Sequence, residues 1–144
     1  MSGGALVGIN LAAALFLTGL SWFLQVVHFP LLRRLDRREF PSYAALHQRN
    51  NTLLMTPPML IEMITAAWLL VATPTGLRHQ DLFHLFLLLV AIWLITFLRH
   101  IPLHRRLLQG YNAEILRTLE RWNWIRTSCW TARAAFLFWL ARFA

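Results

Sequence analysis

Glu62 and Arg133 are the charged residues set deepest in apolar surroundings. Glu62 interrupts an otherwise uncharged run from about Thr52 to Thr73, and Arg133 lies inside the apolar stretch from about Trp122 to Phe143. At 1.5 Å per helical residue, Glu62 stands ~15 Å beyond Thr52 and Arg133 ~16 Å beyond Trp122. Matching depths make an ion pair between them the simplest way to hold both charges away from water. Paired, the carboxylate stays ionised and is a poor base. Unpaired, it is free to handle protons.

Arg133 shares a helical face with Asn123, Arg126 and Trp130, at spacings of i, i+3, i+7 and i+10. Two arginines on one stripe exceed what one glutamate neutralises, so the surplus could hold a propionate, a phosphate or another anionic or carbonyl group. Arg126 is nearer the end of its segment and is expected to snorkel to the headgroups. Thr18, Ser21, Gln25 and His28 form a second polar stripe, of the kind that joins helices by hydrogen bonds. His28, His47 and His104 project to one level. With Glu62 they could make a metal site, and one or two of them could ligate haem. His100 and His104 stand at i, i+4 around Pro102. Interfacial histidines bonded to water and neighbours are the ordinary alternative. Glu62 and His28 are the strongest acid–base candidates, and no catalytic residue is fixed by a motif: phosphate loops, nucleophile elbows and zincin helices are absent.

The elements that must position these groups are membrane helices. Of 144 residues, 58% are hydrophobic and 14% charged, against about 45–50% and about 25% in soluble domains. A chain of this size cannot hide so much apolar surface in one water-soluble core. That excludes a soluble enzyme, a disordered regulator and a disulfide scaffold, and the single Cys129 excludes a cysteine-rich metal site. The formal charge of +8 comes entirely from arginine. Without a basic–aromatic platform it reads as lipid-facing loop charge, not nucleic-acid binding.

The spacing predicts an all-α bundle of four transmembrane helices in one domain, spans about 5–32, 52–73, 82–101 and 122–143. The first reads as a span and not a cleaved leader, because no positive region precedes it. The segments 33–51 and 99–121 each carry five arginines, and the loop between them only Arg78. The positive-inside rule then places both long loops in the cytoplasm and both termini outside. Phe40, Tyr43, Ala44 and His47 share one face after Pro41, predicting a short interfacial helix that carries His47 inward. Leu103, Leu107, Ile115 and Leu119 suggest a third helix extending beyond the membrane, weakened at Gly110. Pro57-Pro58, one turn before Glu62, reads as a kinked wall beside a polar pocket. No internal repeat or low-complexity tract stands out.

The runs Trp22-Phe23-Leu24-Gln25-Val26-Val27-His28-Phe29-Pro30, Pro57-Pro58-Met59-Leu60-Ile61-Glu62, Pro102-Leu103-His104 and Asn123-Trp124-Ile125-Arg126-Thr127 resemble a group of short bacterial four-helix membrane proteins of uncharacterised function. The layout is more distantly similar to anthrone-oxygenase-like membrane proteins and to four-helix, haem-binding membrane protoporphyrinogen oxidases. The last resemblance implies a haem-binding role for His28, beside Trp22-Phe23 and Pro30-Leu31.

Together these readings describe a small protein of the bacterial inner membrane, with a polar pocket in the cytoplasmic half of its bundle. The pocket would take a lipophilic substrate or a redox cofactor (haem, quinone or a metal), as in a membrane oxidoreductase. His28, His47, Glu62, His104, Asn123, Arg126, Trp130 and Arg133 would line it. The alternatives are an accessory subunit of a larger membrane complex, and a small transporter acting as a homo-oligomer. Expected partners are membrane lipids, a lipophilic small molecule or other membrane subunits, and not nucleic acid.

Overall fold

The computed structural model describes residues 2–144 as four helices: α1 (Gly3–Leu32), α2 (Phe40–Val71), α3 (His79–Leu107) and α4 (Ala113–Leu140). Each helix packs on its neighbours in sequence and α4 closes the ring against α1, so the chain runs up, down, up and down around one bundle. The first three helices are long and apolar enough to cross a membrane. The fourth has the length, but Asn123, Arg126 and Arg133 dilute its apolar stretch. The outward surface is oily. Val26, Leu53, Ile64, Val71, Leu98 and Phe138 are each more than half exposed, as lipid-facing residues are.

Two apolar cores fill the interior. One gathers Leu6, Val7, Leu69, Leu85 and Leu137 near the chain ends. The other gathers Leu24, Phe29, Phe40, Met55, Met59, Ile92 and Trp130 toward the opposite end. Polar side chains lie between and beside them.

The termini of the helices depart from the sequence expectation. No separate interfacial helix forms before the second span: α2 is unbroken from Phe40 to Val71, through Pro57 and Pro58. Phe40 and Ala44 are buried and anchor this extension to the core, which leaves no reason for a break. The third helix does run on past the expected end of its span at 101, but only to Leu107, so Ile115 and Leu119 belong to α4. Gly110 takes φ +146°, a backbone few side chains tolerate. Asn112 then caps the new helix, its Oδ1 accepting from the N–H groups of Glu114 and Ile115, both at 3.0 Å. At the other end Gly76 (φ +95°) lies so close to the Phe143 carbonyl that a Cβ would sit 2.3 Å from its oxygen.

The helices also reveal an internal correspondence. His28-Phe29-Pro30-Leu31-Leu32-Arg33-Arg34-Leu35 and His100-Ile101-Pro102-Leu103-His104-Arg105-Arg106-Leu107 agree at six of eight positions, 72 residues apart. Arg49-Asn50-Asn51 and Arg121-Trp122-Asn123 keep the same offset. In both halves the helix widens into a π-helical turn just before the proline, with Phe29 N–H donating to the Leu24 carbonyl and Ile101 N–H to the Thr96 carbonyl. Proline lacks an N–H and crowds the carbonyl four residues back, and a wider turn relieves that conflict. The bundle is therefore a helical hairpin used twice, contrary to the expectation of no repeat. Substitution has hidden it outside these short stretches.

Candidate functional site

The polar residues inside the bundle separate into three groups. The first is a clasp between the two apolar cores. Arg133 and Glu62 form a fully buried ion pair. Arg133 Nε donates to the Leu85 carbonyl at 3.2 Å and Nη2 to Asn10 Oδ1 at 2.8 Å. Trp130 Nε1 donates to the second Glu62 oxygen at 3.1 Å. Asn10 Nδ2 donates to the Glu62 carbonyl at 2.8 Å and to Thr65 Oγ1 at 2.6 Å. One residue from each helix is thus tied to the next, and both charges are satisfied. Removing either Glu62 or Arg133 strands a buried charge, and removing a neutral member leaves a buried hydrogen-bonding group without its partner. Each Glu62 carboxylate oxygen has a buried partner. Asn10, Thr65 and the Leu85 carbonyl were not anticipated. The visible signal was one asparagine in the uncharged run of the first span.

The second group closes the seam between α1 and α4. Asn123 Nδ2 donates to Gln25 Oε1 at 2.7 Å, the Ser21 and Thr127 hydroxyls meet at 2.6 Å, and Trp22 Nε1 donates to Thr131 Oγ1 at 3.0 Å. Ser21 here joins helices, as expected, and Gln25 does so too; Thr18, expected to do the same, instead donates to the Ala14 carbonyl of its own helix at 2.7 Å.

The third group borders a cavity of about 310 Å³ between α2 and α3. Met55, Met59, Phe97 and Ile101 supply apolar wall, and Gln48, Asn51, Trp93, Thr96, His100, His104 and Arg126 supply polar atoms. Phe97 is more than half exposed, so the cavity reaches the outer face of the bundle between the two helices. Arg126 does not snorkel. It is 4% exposed, because Asn123 Oδ1 accepts from Nη2 at 3.1 Å, Thr96 Oγ1 accepts from Nη1 at 3.5 Å, and the Trp130 ring lies 5.1 Å from its guanidinium carbon. These contacts turn it inward, and among the described residues it has no ion-pair partner. Six buried side-chain polar atoms among the described residues lack a hydrogen-bond partner. Four of them, Gln48 Oε1, Trp93 Nε1, His100 Nε2 and Arg126 Nε, belong to residues that line this cavity.

The histidines do not converge on one point. His28 and His47 stack face to face, ring centroids 3.9 Å apart, in a smaller cleft between α1 and α2 that Tyr43 also lines. His47 lies 5.9 Å from His104, and His104 6.2 Å from His100, on the cavity side. The expected set of three histidines with Glu62 is not assembled, since Glu62 is bound into the clasp. Among the described residues no group of three His, Cys, Asp or Glu could hold a metal ion. His28 Nε2 is buried without a hydrogen-bond partner, and its ring lies against that of His47.

Of the eight expected pocket residues, Arg126 and His104 line the cavity. Glu62, Trp130 and Arg133 belong to the clasp, Asn123 to the seam, and His28 and His47 to the smaller cleft. Gln48, Asn51 and Thr96 were missed. Trp93 had only its depth to mark it, and His100 is identified by its place opposite His28 in the repeat. No family model, no curated protein and no solved structure matches the chain, so the site is interpreted from its own geometry.

Proposed function

We propose that this is a four-span protein of the bacterial inner membrane that binds a lipophilic molecule by its polar head, in the cavity between α2 and α3. One observation carries the reading: four side chains that line a single, largely apolar cavity each hold a buried polar atom without a partner. An orphaned buried donor or acceptor costs about 1–3 kcal/mol, and a folded protein keeps several together where a ligand satisfies them. Ligand pockets combine apolar walls with a few placed polar groups in this way.

In this reading the ligand enters sideways from the lipid past Phe97. Trp93, His100 and Arg126 orient its head, and the thioethers of Met55 and Met59 adapt to its apolar body. The inward direction of Arg126 and the neutralisation of Arg133 by Glu62 support α4 as a fourth span, because they take both charges off the lipid-facing surface. The arginine-rich connections, cytoplasmic by the positive-inside rule, lie at the cavity's end of the bundle.

Native mass spectrometry of the detergent-purified protein tests the proposal. A bound small molecule should leave the wild-type protein on collisional activation and be missing from Thr56→Trp, which fills the cavity from its exposed edge. A protein free of small molecules that purifies with stable protein partners would favour an accessory subunit instead.

A further inference from the structure

We infer that the ligand is a lipophilic monoanion, a long-chain carboxylate whose head meets Arg126; this rests on the ligand-binding reading above. The two buried arginines carry the inference. Arg133 has a carboxylate and uses all three of its nitrogens on partners. Arg126 is as deeply buried, yet its contacts are an amide oxygen, a long contact to a hydroxyl and the face of a tryptophan, and its Nε is unused. A guanidinium taken out of water without a counter-ion costs several kcal/mol. A quinone or ester carbonyl would satisfy the orphaned donors and leave that charge uncompensated. A carboxylate satisfies both.

The count of charges selects among anions. Arg126 is the only arginine, lysine or acid bordering the cavity. One negative charge balances it. A phosphate monoester brings about −1.5 to −2 and leaves an excess, whereas a carboxylate and a phosphodiester each bring one charge. Trp93 comes from α3 and the guanidinium from α4, so the head meets donor side chains from two helices. The cavity holds the head and the first part of a chain, and its opening beside Phe97 lets the remainder lie in the lipid.

The test titrates detergent-purified protein with 11-(dansylamino)undecanoic acid, its methyl ester and the matching alkyl phosphate monoester, followed by dansyl fluorescence. The acid should bind saturably, at least about tenfold tighter than the ester, as a charged hydrogen bond predicts, and tighter than the phosphate. Arg126→Gln should bring the acid down to the affinity of the ester, with helical content unchanged. Trp93→Phe, which keeps the ring and removes the donor, should weaken the acid severalfold and provides the same check if Arg126→Gln does not fold. An ester that binds as tightly as the acid, in wild type and Arg126→Gln alike, overturns the anion and leaves the lipophile-binding reading standing. Tighter binding of the phosphate overturns the carboxylate in favour of a phosphate-headed lipid. Absence of saturable binding by all three probes, with Thr56→Trp indistinguishable from wild type, overturns the binding reading itself.

Discussion

Arg126 and Arg133 lie on the same face of one helix, two turns apart, and the bundle treats them in opposite ways. Around Arg133 every helix contributes a partner, from Asn10, Glu62 and the Leu85 carbonyl to Trp130 beside it on α4. Around Arg126 the nearest helices offer neutral groups and an open cavity. A buried charge is tolerated in either setting, but for different reasons. The clasp neutralises its charge with Glu62, whereas Arg126 borders a cavity and has no ion-pair partner among the described residues.

The largest effect expected from this contrast is at the clasp. Glu62→Gln or Arg133→Leu alone should cost about 3–5 kcal/mol, enough to lose folded protein, as judged by thermal unfolding in detergent. Glu62→Met combined with Arg133→Leu should recover part of that loss. A double variant no more stable than either single would mean the pair does not act as a unit. Asn123→Leu, which opens the seam between α1 and α4, should cost about 1 kcal/mol, the range of interhelical hydrogen bonds in membranes. Its counterpart in the repeat, Asn51→Leu, should cost nothing measurable, because the Asn51 side chain makes no hydrogen bond among the described residues. Equal losses at the two positions would break the distinction between closed seam and open cavity. Asn112→Ala should lower stability by about 0.5–2 kcal/mol through the lost cap of α4. Smallest of all should be Arg126→Met. Removing an uncompensated buried charge should leave the unfolding midpoint unchanged or raised, while binding is lost. A midpoint that falls as it does for Arg133→Leu would make Arg126 a structural residue.

The two seams extend the comparison to the repeat as a whole. Moving each residue of the α1–α4 seam by 72 positions gives its counterpart between α2 and α3. Gln25 maps to Phe97, Asn123 to Asn51, Ser21 to Trp93 and Thr127 to Met55. Where the first seam has complementary polar pairs, the second has an amide and a phenyl ring, and an indole and a thioether, around its cavity. The first seam zips shut and the second stays open. The fold that places a cavity at one seam of a duplicated hairpin also explains why its lining is asymmetric.

Much of the architecture was legible in the chain. The Asn123–Arg133 stripe was correct because burial in a membrane bundle is periodic, and all four of its residues are buried; the Phe40–His47 stripe failed at Tyr43, which is exposed. The Glu62–Arg133 pair followed from depth alone, since two opposite charges at one level of an apolar medium have few other partners. The destination of the remaining polar residues did not follow. His28 and His104 lie at one level but on helices that face different clefts, and Arg126 could not be turned inward without knowing that Thr96 and Asn123 would meet it. The repeat escaped notice because it survives in short stretches, where proline and histidine set the backbone and not the hydropathy.

Composition and periodicity by themselves determined that this chain fills a membrane, how many long helices it forms, and which face of each turns inward. Those properties depend on the sum of transfer free energies along each helix, and a sum can be taken along the sequence. Only the tertiary structure decided which buried polar groups are satisfied and which are left free. That depends on the azimuth and register of one helix against another, where a shift of a single residue exchanges a hydrogen bond for an empty space.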